Sequence, residues 1–162
     1  SYLFYNCSSL SSLNLSYFNT NQVKNMSFLF RGCSGLTDLD LSHFDTSNVT
    51  NMSNMFDGCS SLVNLNVSSF NTSSVTNMGA MFWNCRSLIN LDLSSFNTSN
   101  VTKYDNVYSM FGNCINLTNI NYGENFVYKE GAIVGAMFYH CPANRPTHES
   151  WNGVNFESGN ET

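Results

Sequence analysis

The stretch that decides the fold covers residues 36–59, LTDLDLSHFDTSNVTNMSNMFDGC, because the flanking chain repeats the same pattern. A phenylalanine stands three residues before each of six cysteines, and successive cysteines are 26, 26, 26, 29 and 27 residues apart. These cysteines are Cys7, Cys33, Cys59, Cys85, Cys114 and Cys141. A sequence period near 26 residues predicts a solenoid, in which each repeat shelters the apolar side of its neighbour.

Within one repeat the apolar residues follow two different periods. Leu39 and Leu41 alternate with polar residues, which predicts a short strand with one buried face. Downstream, an i, i+3, i+6, i+7, i+10 spacing predicts one face of a short helix. The residues with this spacing are Val49, Met52, Met55, Phe56 and Cys59. The sequence therefore predicts an α/β fold, a leucine-rich-repeat-like solenoid with short parallel β-strands on one face and short helices on the other.

The residues that flank the predicted helix match the ends of a helix. Thr46 and Ser47 can accept backbone N–H bonds and so begin it. The residue before each cysteine is of a type that tolerates the left-handed backbone at a helix C-terminus. These residues are Asn6, Gly32, Gly58, Asn84, Asn113 and His140.

The repeats predict two regions in the chain. Residues 1–141 form the solenoid, which we expect to be a fragment of a longer repeat array because the chain starts in mid-repeat. Residues 142–162 form a polar C-terminal cap or linker, since terminal repeats are usually atypical. Three extra residues near 103–106 account for the longer interval between Cys85 and Cys114.

Composition excludes several classes of function. The net charge is −5 and only 10% of the residues are charged, so the chain lacks the basic surface that nucleic acids require. No apolar run approaches the roughly 20 residues of a membrane span, and no signal peptide opens the chain. We expect neither nucleic-acid binding nor membrane insertion, and no cofactor.

The six cysteines are predicted to be buried free thiols. Each occupies the same place in its repeat, so neighbouring side chains point the same way, whereas a disulfide needs Cβ atoms that converge. His140, Cys141 and His148 make an incomplete zinc set. The carboxylates of the strands are too sparse for calcium. Ser42, His43 and Asp45 follow from repeat composition, and no strained nucleophile turn accompanies them, so we predict no enzyme.

Three units of the chain resemble the repeats of BspA-like leucine-rich repeat surface proteins of bacteria. They read LTDLDLSHFDTSNVTNMSNMFDGCSSL, LVNLNVSSFNTSSVTNMGAMFWNCRSL and LINLDLSSFNTSN, and the resemblance extends to about Cys141. It implies an extracellular or cell-surface location and adhesion to host matrix proteins, host cells or neighbouring bacteria. It implies no catalytic residues.

Two sets of side chains are candidates for binding. The first is a ladder of polar residues on the outward face of the strands, which we call the polar ladder: Asn14, Asp38, Asp40, Asn64, Asn66, Asn90, Asp92 and Asn121. The second set consists of candidate exposed anchors, of residue types common at interfaces: Tyr17, Phe28, Arg31, Trp83 and Tyr108. Positions that vary between repeats, such as the one two before each cysteine, are expected to face solvent.

We therefore expect a non-catalytic adhesion module that binds a host protein or a glycan, with the strand face as its contact surface. Contacts through the open ends of the repeat array would extend this to end-to-end association. One alternative is a structural spacer that binds nothing. A third is an ice- or carbohydrate-binding array of hydroxyl groups: Ser16, Ser42, Ser68, Ser94, Thr20, Thr46, Thr72 and Thr98.

Overall fold

The computed structural model describes residues 2–102, 107–128 and 136–146. Its four short strands are β1 (Asp38–Asp40), β2 (Asn64–Asn66), β3 (Asn90–Leu93) and β4 (Asn119–Tyr122). Strand β1 pairs with β2 and β3 pairs with β4, both in parallel, which gives two sheets of two strands. Equivalent residues of successive repeats lie opposite each other in both pairs, so the sequence repeat is also a repeat in space.

The predicted fold class is wrong, because the described residues contain no helix. Residues 49–59, predicted as a helix, and the equivalent residues 23–33 and 75–85 instead form successive tight turns, and we call them the turn segments. The Met55 N–H donates to the Met52 carbonyl (3.3 Å), and the Cys59 N–H donates to the Phe56 carbonyl (3.0 Å). Turns of this size bury apolar residues three positions apart, a spacing that is easily taken for a helical face.

Alternate amides of a turn segment donate to the next repeat. The Asn54 N–H donates to the Gly79 carbonyl, and the Phe56 N–H donates to the Met81 carbonyl, both at a distance of 2.9 Å. In an α-helix the same groups would donate to carbonyls four residues earlier in their own repeat. Hydrogen bonding between repeats therefore replaces the predicted helix. No helix of the described residues is long and apolar enough to cross a membrane.

The left-handed backbone predicted before each cysteine is confirmed at all six positions, where φ lies between 49° and 76°. Six residues four positions earlier are also left-handed, with φ between 30° and 69°: Tyr2, Phe28, Asn54, Ala80, Ser109 and Ala136. This second set was not predicted, because only one of its members is an asparagine and none is a glycine. Left-handed residues at such short intervals cannot belong to an α-helix.

The threonine expected to begin the helix joins two repeats instead. Thr46 is fully buried, and its Oγ1 donates to the carbonyl of Asn71 at 3.0 Å. Thr72 makes the equivalent bond to the carbonyl of Asn97 at 2.9 Å. A buried hydroxyl needs a hydrogen-bond partner, and here the partner is always the next repeat.

Aromatic rings run through the core of all the repeats. The phenylalanine three residues before each cysteine stacks on its equivalents in the adjacent repeats, with ring centroids 5.2–5.8 Å apart. The stacked residues are Phe4, Phe30, Phe56, Phe82, Phe111 and Phe138. Burial of rings of this size is the main apolar contribution to holding the repeats together.

All six cysteines are free, and all except the half-buried Cys7 are buried. The Cys59 thiol donates to the Phe30 carbonyl (3.1 Å), and the Cys85 thiol donates to the Phe56 carbonyl (3.2 Å), so these thiols also link successive repeats. Burial raises the pKa of the Cys59 and Cys85 thiols well above 9.0, which keeps them protonated and able to donate.

The described end of the chain, residues 143–146, lies along the outer edge of β4. The Asn144 side chain accepts a hydrogen bond from the Ile120 N–H (2.7 Å) and donates one to the Ile120 carbonyl (3.0 Å). One side-chain amide thus satisfies both backbone polar groups of Ile120. The predicted insertion at 103–106 and residues 147–162 of the predicted cap or linker lie outside the described residues.

Candidate functional site

The short strands place the polar ladder on one outward face. In β1, Asp38 and Asp40 are exposed while Leu39 between them is 3% exposed, and β3 repeats the pattern with Asn90 and Asp92. This alternation follows from the two-residue period of a strand. All eight residues of the polar ladder are exposed.

A groove of about 580 Å³ crosses this face over β1, β2 and β3. Six of the eight polar-ladder residues line it: Asp38, Asp40, Asn64, Asn66, Asn90 and Asp92. The other two lie to either side, Asn14 in the repeat before β1 and Asn121 on β4. The prediction from sequence thus identified the polar lining of the groove, though not that a groove exists.

The groove also has an apolar part that the sequence reasoning missed. Val63 and Ile89 line it and are 45% and 49% exposed. The equivalent residues in the repeats on either side are Thr37 and Thr118. Two apolar residues in a position that is polar in the other repeats were the signal that could have found this feature.

The groove lies where the strand pairing is interrupted. Among the described residues, no backbone ladder joins β2 to β3. At the neighbouring β1–β2 pair, by contrast, the Leu41 N–H donates to the Asn66 carbonyl at 3.0 Å. Leu65 in β2 is only half-buried, whereas Leu39 and Leu91, its equivalents, are 3% exposed. The interruption therefore coincides with the less buried Leu65, which also lines the groove.

Two carboxylates of the groove also hold the turns that follow their strands. Asp40 Oδ1 accepts a hydrogen bond from the Ser42 N–H, and Asp92 Oδ1 accepts one from the Ser94 N–H, both at 2.9 Å. These bonds to the ionised form lower the pKa of both aspartates, with the charge of His43 making a smaller contribution at Asp40.

Side-chain amides bridge the strands on the same face. The Asn64 amide donates to Asp38, and this bond, with a second from the Thr37 hydroxyl, lowers the pKa of Asp38. The Asn121 amide likewise donates to Asp92 Oδ1 at 3.0 Å. All three groove carboxylates are therefore ionised at neutral pH, and no lysine, arginine or histidine of the described residues lines the groove.

The candidate anchors divide into two groups. Tyr17 and Tyr108 are 94% and 47% exposed, as predicted. Phe28 is half-buried and stacks on the ring of Tyr2, with centroids 5.0 Å apart. Arg31 lies over Phe28, with its guanidinium carbon 5.5 Å from the centroid of that ring. None of the five lines the groove, so the anchors and the polar ladder do not form one site.

The expectation that the position two before each cysteine faces solvent is wrong at two repeats. Asp57 is buried and forms an ion pair with Arg31, with 2.8 Å between Nε and Oδ2. Burial raises the pKa of Asp57 in spite of the opposing effect of Arg31. Gly112 is also buried, because the side chain of Trp83 covers it.

Trp83 is held in place by its neighbours. A Cβ atom added at Gly112 would lie 2.1 Å from the indole ring, so the missing side chain provides the space that the ring occupies. Beyond Gly112 the indole stacks on Tyr139, with ring centroids 6.2 Å apart and planes 3° from parallel. Trp83 is therefore half-buried and packed rather than a free anchor.

The hydroxyl ladders have mostly internal roles. Thr20, Thr46, Thr72 and Thr98 are all buried. Ser16 and Ser68 are exposed, and their hydroxyls donate to the preceding Asn14 and Asn66 side chains. The threonines therefore do not form an outer array.

No site for a metal ion is found in the described part of the chain, where no three His, Cys, Asp or Glu side chains come together. His43 Nε2 donates to the carbonyl of Leu15 at 2.7 Å. His148, from the incomplete zinc set, lies outside the described residues.

A family model described as "Mycoplasma protein of unknown function, DUF285" matches residues 1–121 and, in a second overlapping match, residues 31–151. No curated protein and no solved structure matches the chain. The two family matches together cover nearly the whole chain, including every strand and the groove. The chain therefore belongs to the DUF285 family, a repeat family of unknown function.

Proposed function

We propose that this chain is a binding module of a BspA-like bacterial surface protein and that it recognises a protein or a glycan without catalysing a reaction. The observation that carries the proposal is the groove, in which six polar-ladder residues and the exposed Val63 and Ile89 face the same space. Binding sites commonly combine a concave shape, apolar contact area and a few fixed polar groups.

The side chains of the groove suit binding better than proton transfer. Asp40 and Asp92 are held by hydrogen bonds from the following turns, and these bonds lower the pKa of both groups. A general base is most effective when its pKa is close to the working pH, so carboxylates of lowered pKa are weak bases. As fixed acceptors they can orient a ligand at no further conformational cost.

The test measures binding of the intact chain to immobilised host matrix proteins, mucin and an array of oligosaccharides. The groove variant combines Val63→Thr and Ile89→Thr, because threonine stands at the equivalent positions 37 and 118. The control is Ile115→Ser, since Ile115 is 53% exposed and does not line the groove. Serine is also the residue at equivalent positions 34 and 60.

We expect the groove variant to lose at least tenfold in affinity for whichever ligand the chain retains, and the control to change less than twofold. Equal losses in the two variants, or none in either, would place binding elsewhere on the molecule. Failure of every ligand to bind would remove the proposal.

A structural spacer is the second candidate, and a specific observation favours it. Most polar side chains of the repeat bond to their own repeat or to the next one, as Asp45 does to the Ser47 N–H (2.9 Å) and Thr46 to the Asn71 carbonyl (3.0 Å). Polar residues used in this way stabilise an array without creating a site. The binding assay separates the two functions, since a spacer retains no ligand.

A further inference from the structure

We propose that the groove binds an extended basic peptide, a segment of a partner protein with lysine or arginine at alternate positions. This inference rests on the proposed binding function and specifies its ligand. It draws on the charge of the groove, the spacing of its carboxylates and the interruption of the sheet.

The charge of the groove is entirely negative. Asp38, Asp40 and Asp92 line it, and no cationic side chain of the described residues does so. His43 follows the strand that carries Asp40 and has a small effect on that carboxylate. The amides of the groove are neutral and already bridge strands, as Asn64 does to Asp38. A cationic ligand is therefore favoured over a neutral or an anionic one.

The spacing of the carboxylates matches that of an extended chain. Asp38 and Asp40 project from the same face of β1 two residues apart, which is roughly 6.6 Å along a strand. Residues i and i+2 of an extended peptide have the same separation and also point to one side. A basic side chain at each of these positions can reach one carboxylate, and Asp92, which holds the position of Asp40 on β3, adds negative charge on the far side of the groove.

The interrupted sheet leaves strand backbone groups of the described residues without a cross-strand ladder, and such groups can bond a peptide backbone. Between β2 and β3, the described residues make none of the cross-strand bonds that join β1 to β2 and β3 to β4. Exposed peptide groups at strand edges are common recognition sites for extended peptides. Val63 and Ile89 supply aliphatic surface for the stems of lysine or arginine side chains.

The lining distinguishes a peptide from a sugar. No aromatic side chain of the described residues lines the groove, so the apolar face of a sugar ring has no flat ring to pack against. Exposed aromatic rings lie elsewhere, for example Tyr17. The groove therefore fits a basic peptide better than a glycan.

The experiment measures fluorescence anisotropy of labelled peptides titrated with the intact chain. The peptide acetyl-Lys-Val-Lys-Val-Lys-amide is compared with versions that carry glutamine or glutamate in place of lysine, and with neutral oligosaccharides as competitors. We expect the lysine peptide to bind at least tenfold more tightly than the glutamine peptide, and the glutamate peptide not to bind. Raising the salt concentration should weaken binding, because screening reduces the attraction between charges.

Matched variants locate the site. The carboxylate variant combines Asp38→Asn with Asp92→Asn, and both changes introduce a residue that equivalent positions of the repeat already hold. The control combines Asp45→Asn with Glu124→Gln, which removes the same amount of charge from exposed positions outside the groove. We expect at least a tenfold loss of affinity for the lysine peptide in the carboxylate variant and less than a twofold change in the control.

The outcomes separate this inference from the proposed function. Equal affinity for the lysine and glutamine peptides, or equal losses in the two variants, would overturn the basic-peptide inference. Oligosaccharide or matrix-protein binding at the groove without peptide binding would also overturn it, while leaving the proposed function intact. If no ligand of any class binds, both fail.

Discussion

The turn segments and the strand face are built from the same repeats but are held together differently. In the turn segments, backbone hydrogen bonds join each described repeat to the next. The Phe30 N–H donates to the Met55 carbonyl and the Phe56 N–H to the Met81 carbonyl, both at 2.9 Å. On the strand face the pairing joins β1 to β2 and β3 to β4 but stops between β2 and β3. Backbone bonding between repeats is therefore continuous in the turn segments, whereas strand pairing varies from one repeat to the next.

This difference separates the part of the molecule that holds the repeats together from the part that carries the proposed binding face. Fully buried phenylalanines and thiols lie in the turn segments, where a change in any repeat affects both neighbours. The strand face has strands of only three or four residues and exposed side chains. We therefore expect substitutions there to lower stability less than substitutions in the turn segments. Repeat proteins gain much of their stability from contacts between neighbouring repeats, and here the turn segments provide most of them.

The largest effect is expected from Phe82→Ala. The ring is fully buried and lies 5.5 Å from Phe56 and 5.7 Å from Phe111, between centroids. Its removal leaves a cavity in the stack and should reduce the free energy of unfolding by about 3–5 kcal/mol. Urea denaturation measures the change, with Leu65→Ala on the half-buried strand position as the comparison. Equal losses at the two sites would contradict the assignment of stability to the turn segments.

A smaller loss is expected from Gly112→Ala, because the added Cβ would lie 2.1 Å from the Trp83 ring. Displacing the indole should cost about 1–3 kcal/mol of unfolding free energy. In a Trp83→Ala background the space is empty, and the same substitution should have almost no effect. A double-mutant cycle measures this coupling. Additive losses would show that the indole does not occupy the space over Gly112.

Alkaline pH tests the thiols of the turn segments. Burial is the main cause that raises the pKa of Cys33 to about 11, from an ordinary value of 9.0. Below pH 9 the thiol is protonated in both states, and its full contribution to stability is present. As the pH rises from 9 towards 11, the unfolded state ionises first and stability falls, by about 1 kcal/mol between pH 9 and 10 for this group.

The measurement compares the unfolding free energy of the wild type and Cys33→Ser between pH 8 and 10. Serine does not ionise in this range, so the variant should lose about 1 kcal/mol less than the wild type as the pH rises. Parallel pH profiles for the two proteins would show that the Cys33 thiol is accessible to solvent.

The smallest effect, a gain in stability, is expected from Ala80→Gly. Ala80 has a φ of 51°, a left-handed conformation that strains a residue with a Cβ atom. Glycine removes this strain but has more conformational freedom to lose on folding, so the net gain should be about 0.5–1 kcal/mol. Thermal and urea denaturation measure it. A loss of stability would mean that the Ala80 methyl group makes packing contacts worth more than the strain.

The repeat, the buried cysteines and the outward polar residues could all be predicted from the sequence, because each follows from a spacing. The two-residue alternation around Leu39 specifies a strand directly. The helix could not be excluded in this way, since turns of three residues and a helical face bury the same positions. The backbone decides between them: the Asn54 N–H bonds to Gly79, 25 residues further along the chain.

The candidate site was predictable only in part. Asp38 and Asp40 were identified because strand geometry places them outward. The groove crosses the unpaired junction between β2 and β3, although the strand sequences NLN and NLDL are nearly the same. Local sequence does not determine which neighbouring strands pair, so neither the groove nor the positions of Val63 and Ile89 in it could be deduced.

The Asn144 amide, bonded to both backbone polar groups of Ile120, covers part of a strand edge. An uncovered strand edge is a template on which another molecule can add its own strand, and this is how many β-rich proteins aggregate. By bonding both backbone groups of Ile120, a single amide side chain keeps that residue from pairing with an added strand. Asparagine at this position therefore covers part of a strand edge without requiring another strand.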